Sequence, residues 1–122
     1  MYIKRFINQN SCDKDADVYI TDGQYELICY IYPYTDKYNT SSIVDCIYGF
    51  MCSDITVSNV KEYDIIKLEQ YYSYKVTAIV VSAKESIVKV GNMRIMLDAK
   101  IPGDICSGEY VQFTAIRFDV VI

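Results

Sequence analysis

Apolar side chains in this chain alternate with polar ones in short runs, and turn residues separate the runs. That period of two is the signature of half-buried β-strands, and it limits the chain to a mainly β fold. The clearest case is Asp17-Val18-Tyr19-Ile20-Thr21, then Asp22-Gly23, then Gln24 through Ile31. Asp-Gly is a favoured two-residue hairpin loop because both positions tolerate positive φ. This register predicts that Ile20 faces Tyr25 and Val18 faces Leu27. A second hairpin turns at Gly91-Asn92 and predicts Val90 opposite Met93 and Val88 opposite Ile95. Upstream, the run from Tyr72 to Val80 pairs Val80 with Val88 and Ala78 with Val90 across a loop at Ala83-Lys84-Glu85. Residues 72–97 thus read as a three-stranded meander.

The final stretch breaks the alternation. Val111, Phe113 and Ala115 are apolar on odd positions, whereas Ile116, Phe118, Val120 and Ile122 are apolar on even ones. Side chains alternate strictly along a strand, so the switch implies a bulge or a bend. Residues 42–58 read as one or two strands interrupted at Gly49. Asn59 to Tyr71 is either a short helix near 59–70, with Asn59 as N-cap and Glu62 at the third position, or an irregular tyrosine-rich crossing loop. Tyr34 to Ser42 reads as an exposed loop.

With 122 residues, the chain is expected to form a single domain, 1–122. The segment Val88 to Asp98, Ile101-Pro102-Gly103-Asp104-Ile105 and Ser107-Gly108-Glu109-Tyr110-Val111-Gln112-Phe113 is similar to small OB and S1-type domains. The resemblance spans residues 72–121. It implies a small antiparallel, OB-like barrel built from hairpins, a fold that binds nucleic acid, sugar or protein. Beyond it the chain looks like a small bacterial protein.

The absence of histidine removes the commonest general base and metal ligand, and with them the Ser-His and Cys-His pairs. No glycine-rich phosphate loop is present. Asp13-Lys14-Asp15-Ala16-Asp17 opens like a calcium loop, but Val18 stands where glycine is required and Gln24 where the bidentate acid belongs. It reads as an acidic turn. Cys12, Cys29, Cys46, Cys52 and Cys106 form no CxxC pair, and their odd number suits reduced thiols in a cytoplasm. The amino terminus lacks an apolar leader core, and no apolar run approaches a membrane span. The expectation is a cytoplasmic protein with no catalytic residue, metal or cofactor.

What remains is binding. The net charge of −4 opposes phosphate backbones, while the apolar content suits a protein partner. The 13 tyrosines partly reflect AT-rich codon usage, since glycine, alanine and arginine are scarce. Tyr30, Tyr32, Tyr34 and Tyr38 nonetheless form a cluster, with Tyr30 and Tyr32 opposite the inward Leu27 and Ile31. Such rings either anchor a partner or stack bases, or they pack beneath the 34–42 loop. The expected function is protein–protein interaction or self-association, with homodimerisation through an edge formed by Val120, Val121 and Ile122. Single-stranded nucleic acid is the alternative.

Overall fold

The computed structural model describes residues 1–10, 12–33 and 38–121, with Val121 described by its backbone alone. The described residues form eleven strands and no helix. These are β1 (Tyr2–Asn10), β2 (Asp15–Thr21), β3 (Glu26–Ile31), β4 (Cys46–Phe50), β5 (Ser53–Val57), β6 (Asp64–Lys67), β7 (Tyr74–Ser82), β8 (Ile87–Val90), β9 (Met93–Leu97), β10 (Tyr110–Ala115) and β11 (Arg117–Val121). They belong to one sheet ordered β1-β2-β3-β11-β4-β9-β8-β7-β10-β5, with β6 also paired to β7.

β10 and β11 are consecutive in the chain, yet β4, β9, β8 and β7 lie between them in the sheet. A flat sheet would hold them about 24 Å apart at ~4.8 Å per strand. Only Ile116 separates them, so at ~3.8 Å per residue the sheet must curl until its two halves meet. The parity switch is the means. Val111, Phe113 and Ala115 point into the core from β10, Ile116 turns out to solvent, and Phe118 and Val120 resume the core from β11. The buried cluster they join draws on every strand except β5 and β6, which contribute only partly buried side chains.

The curled ladder is not closed into a barrel, because its path ends at β1 and β5. It is not wholly antiparallel either: β4 runs parallel to β9, and β11 parallel to β3. Both features correct the expectation of a small antiparallel barrel. The meander is as expected, with Val90 opposite Met93, Val88 opposite Ile95 and Val80 opposite Val88.

The first hairpin turns more widely than Asp-Gly suggests. Ile20 faces Leu27 and Thr21 faces Glu26, a register two residues away from the expected one, which leaves the faces unchanged. Side-chain chemistry sets the wider loop. Asp22 accepts the N–H groups of Gln24 and Tyr25 at 2.9 and 2.8 Å, and Thr21 Oγ1 accepts Gly23 N–H at 2.9 Å and donates to Tyr25 O at 2.7 Å. The expected interruption at Gly49 also moves. Gly49 lies inside β4, where an added Cβ would come within 2.9 Å of Cys52 Sγ. The break falls at Met51-Cys52, whose N–H groups both bind the Asp98 carboxylate at 2.7 and 3.0 Å.

Residues 59–70 form no helix. Ser58 takes the place of the expected Asn59 cap, its Oγ accepting Val60 N–H at 3.2 Å and donating to Val60 O at 2.8 Å. The β-branched pair Ile65-Ile66 then joins β7, with Ile65 opposite Val76 and Ile66 opposite Lys75. β-branched residues favour such pleated surfaces over helix.

Candidate functional site

Strand parity places a row of side chains on the outer face of the sheet. Residues directly paired across strands share a face, and the pairs run Asn8–Asp17, Asp17–Tyr30, Tyr30–Asp119, Asp119–Tyr48 and Tyr48–Met96. Arg117 and Phe50 form a further pair on the same face. The inward neighbours Val18, Cys29, Phe118 and Ile47 are fully buried, so the core holds this row rigidly from beneath.

Arg117 is the centre of the row. Its guanidinium forks onto Asp119 at 2.6 and 2.9 Å, and lies 4.8 Å from the Tyr30 ring centroid and 5.4 Å from that of Phe50. The hydrogen bond to Asp119 holds the guanidinium pKa above its usual value. Tyr30 donates its hydroxyl to Asp15 at 3.1 Å and meets Tyr72 edge to face at 6.2 Å. Tyr72 in turn donates to Asp17 at 2.5 Å and contacts Tyr71 at 4.8 Å, edge to face. Burial, and then the neighbouring carboxylates, push both phenol pKa values upward. These phenols are hydrogen-bond donors, not bases, at neutral pH.

The four tyrosines singled out from the sequence do not gather. Tyr30 belongs to the outer row, Tyr32 is 65% exposed, and Tyr38 packs partly buried against the core. Tyr34 lies outside the described residues. The partners of Tyr30 come instead from distant stretches: Asp15, Tyr72, Arg117 and Asp119. One local signal was present in Arg117-Phe118-Asp119, where opposite charges two apart on a strand share a face and flank an inward Phe. The rim of the row is apolar and exposed. Met51 is 66% exposed and Tyr71 46%, and Ile116 N–H binds Phe50 O at 3.0 Å.

The expected edge at the carboxyl terminus is not one. β11 is hydrogen-bonded to β3 on one side and β4 on the other, and Val120 is buried opposite Ile47. Ile122 lies outside the described residues, as does the side chain of Val121. Homodimerisation through Val120, Val121 and Ile122 therefore has no free edge at β11.

Asp15 and Asp17 alternate along the outer face of β2, and Asp13 binds Asn10 Nδ2 at 2.8 Å. Among the described residues, no three His, Cys, Asp or Glu side chains gather in a group able to hold a metal ion. All five cysteines are free thiols. Burial raises the pKa of Cys29 and Cys46 and pushes Cys52 up to about 12, so these three are poor nucleophiles. No described helix is long and apolar enough to cross a membrane.

An open cleft of about 450 Å³ lies between the β2–β3 hairpin and the β6–β7 pair, with Tyr19, Ile28, Ile65 and Tyr74 in its lining. Its charged groups are mostly engaged. Lys67 Nζ donates to the carbonyls of Leu68, Gln70 and Ser73, and Glu26 bridges Lys4 at 2.8 Å.

No protein-family model, no curated protein and no solved structure matches this chain.

Proposed function

We propose that the chain is a non-catalytic binding module whose outer sheet face engages another protein. The observation that carries this reading is the cluster of Tyr30, Phe50, Tyr71, Tyr72 and Arg117, bordered by exposed Met51 and Ile116. Aromatic residues, Met and Arg are the side chains enriched at protein interfaces, and Tyr and Arg dominate their hot spots. The rings are pre-positioned by hydrogen bonds and by the core beneath, which lowers the ordering cost of binding.

We read the architecture as an OB-like barrel left partly open. Its support is the bent β10–β11 run, which pairs with β7 at one end and β4 at the other. That fold also hosts single-stranded nucleic acid, and the tyrosine rings favour this alternative. The charges on the face weigh against it. At the tyrosine cluster Arg117 is neutralised by Asp119 and Asp15 and Asp17 add negative charge, while Arg5 lies over the Tyr19 ring farther along the face; the carboxylates oppose a phosphate backbone at the cluster itself.

The test is capture on the tagged protein from native-host lysate, with and without nuclease, read by mass spectrometry. A stoichiometric protein that survives nuclease is expected. Retention that disappears with nuclease would transfer the function to the nucleic-acid alternative.

A further inference from the structure

Among the described residues, three strands have only one strand neighbour. β1 and β5 end the path of the ladder, and β6 pairs with β7. Two of these edges are irregular. β1 carries bulges after Ile3 and Phe6, and β5 slips against β10 between Gln112 and Thr114, where Asp54 has a φ of +56°. Such kinks deter a further strand from pairing. β6 has none: Asp64 to Lys67 face Thr77 to Tyr74 in unbroken register.

That register also sets where the main chain of β6 points. Leu68 N–H binds Ser73 O at 2.9 Å, one step beyond the pair Lys67–Tyr74. Antiparallel pairs alternate between bonded and unbonded. Asp64 and Ile66 therefore bond β7, whereas Ile65 and Lys67 turn their N–H and C=O groups off the free edge. The Lys67 ammonium does not guard this edge, because it folds back onto the carbonyls of Leu68, Gln70 and Ser73.

Ile65 and Lys67 both line the cleft of about 450 Å³ whose other wall is the β2–β3 hairpin. Two contacts brace its walls. Tyr74 accepts Ile28 N–H at 3.0 Å, and the Tyr25 and Tyr63 rings meet edge to face at 5.9 Å. This shape selects the occupant. A second copy would bring a strand edge backed by its own sheet, which the β2–β3 wall obstructs. Nucleic acid offers no alternating row of N–H and C=O groups. We propose that β6 takes an extended peptide segment of a partner protein as an added strand, with alternate side chains of the segment resting on Tyr19, Ile28 and Ile65. This site is separate from the Arg117 cluster and does not depend on it.

The test begins with amide hydrogen exchange of the free chain, read by NMR. Ile65 and Lys67 N–H should exchange about tenfold or more faster than Ile66 N–H. A random peptide library is then selected on the chain, and enriched peptides are titrated into the isotope-labelled protein. Saturable shifts centred on residues 65–67 are expected, with new protection of the Ile65 and Lys67 amides. N-methylating alternate peptide residues should weaken binding about tenfold in one of the two registers and leave the other unchanged, because one edge of the segment pairs. Ile65→Pro, which removes an N–H that β7 does not use, should weaken the same peptides comparably. The N-methyl comparison needs no variant and so holds even where this one fails to fold. Ile65 and Lys67 amides as protected as Ile66 in the free chain would overturn the proposal. So would a selection that enriches no peptide, shifts centred elsewhere, or an N-methyl effect equal in both registers.

Discussion

Asp22 joins two hairpins that lie far apart in sequence. Its carboxylate accepts Gln24 and Tyr25 N–H within its own turn and Asn92 N–H at 2.8 Å from the β8–β9 turn. Burial raises its pKa, but the N–H donors outweigh that and hold it below the usual carboxylate value. Gly91 makes the approach possible. Its φ is +56°, and a Cβ there would lie 2.5 Å from Asp22 Oδ2 and 2.9 Å from Tyr25 Cδ2. Gly91→Ala should therefore cost about 2–3 kcal/mol, combining the left-handed conformation with the clash, as measured by chemical denaturation. An unchanged midpoint would show that the two turns do not dock. Tyr74 supplies a pH dependence. Its buried hydroxyl accepts Ile28 N–H at 3.0 Å, and burial pushes its pKa from 10 up to about 12. The unfolded chain loses this proton first, so stability present below pH 10 is lost as pH rises toward 12. Tyr74→Phe should lower stability at neutral pH by about 1–2 kcal/mol and flatten the alkaline decline, which a denaturation series across that range would read.

The strands divide by how much of their environment is local. The meander was legible because β7, β8 and β9 are neighbours in both sequence and space, so alternation and turn residues set faces and register together. The bend at Ile116 was legible because the core demands an inward side chain on both sides of it. The register of β2–β3 was not, because Thr21 and Asp22 bind the turn's own backbone and widen it. Asn59 to Tyr71 left a short helix and a crossing loop equally open, and only the partner strand β7, which pairs with residues 64–67, makes a strand there. Arg117 escaped notice as a site residue for the same reason: Tyr30 and Phe50 meet it only through the parallel β3–β11 and antiparallel β4–β11 pairs. Since β11 is interior, deleting Val120 to Ile122 should remove the pairs Val120–Ile47 and Val121–Cys46 and lower stability by several kcal/mol, roughly the cost of emptying a core site. Denaturation and light scattering would show the midpoint falling with no halving of solution mass. A halved mass at unchanged stability would contradict the interior placement.

Across the whole molecule, the curl of the sheet turns its apolar residues inward and leaves aromatic and charged groups on a firm outer surface. Bulges in β1 after Ile3 and Phe6, and its cover by main-chain bonds from Ser41, Ser42 and Val44, blunt one margin of the open ladder against unintended pairing. The proposed binding surface is the face where Arg117 lies near the rings of Tyr30 and Phe50, and Tyr30 in turn meets Tyr72. Capture from nuclease-treated host lysate by the native chain, set beside capture by a folded Phe50→Ser, Tyr71→Ala variant, tests that assignment directly. The face reading expects one stoichiometric protein on the native chain and at least a tenfold loss on the variant, since hot-spot truncations cost about 2 kcal/mol or more. Equal retention on both would contradict it and move the binding surface elsewhere on the sheet.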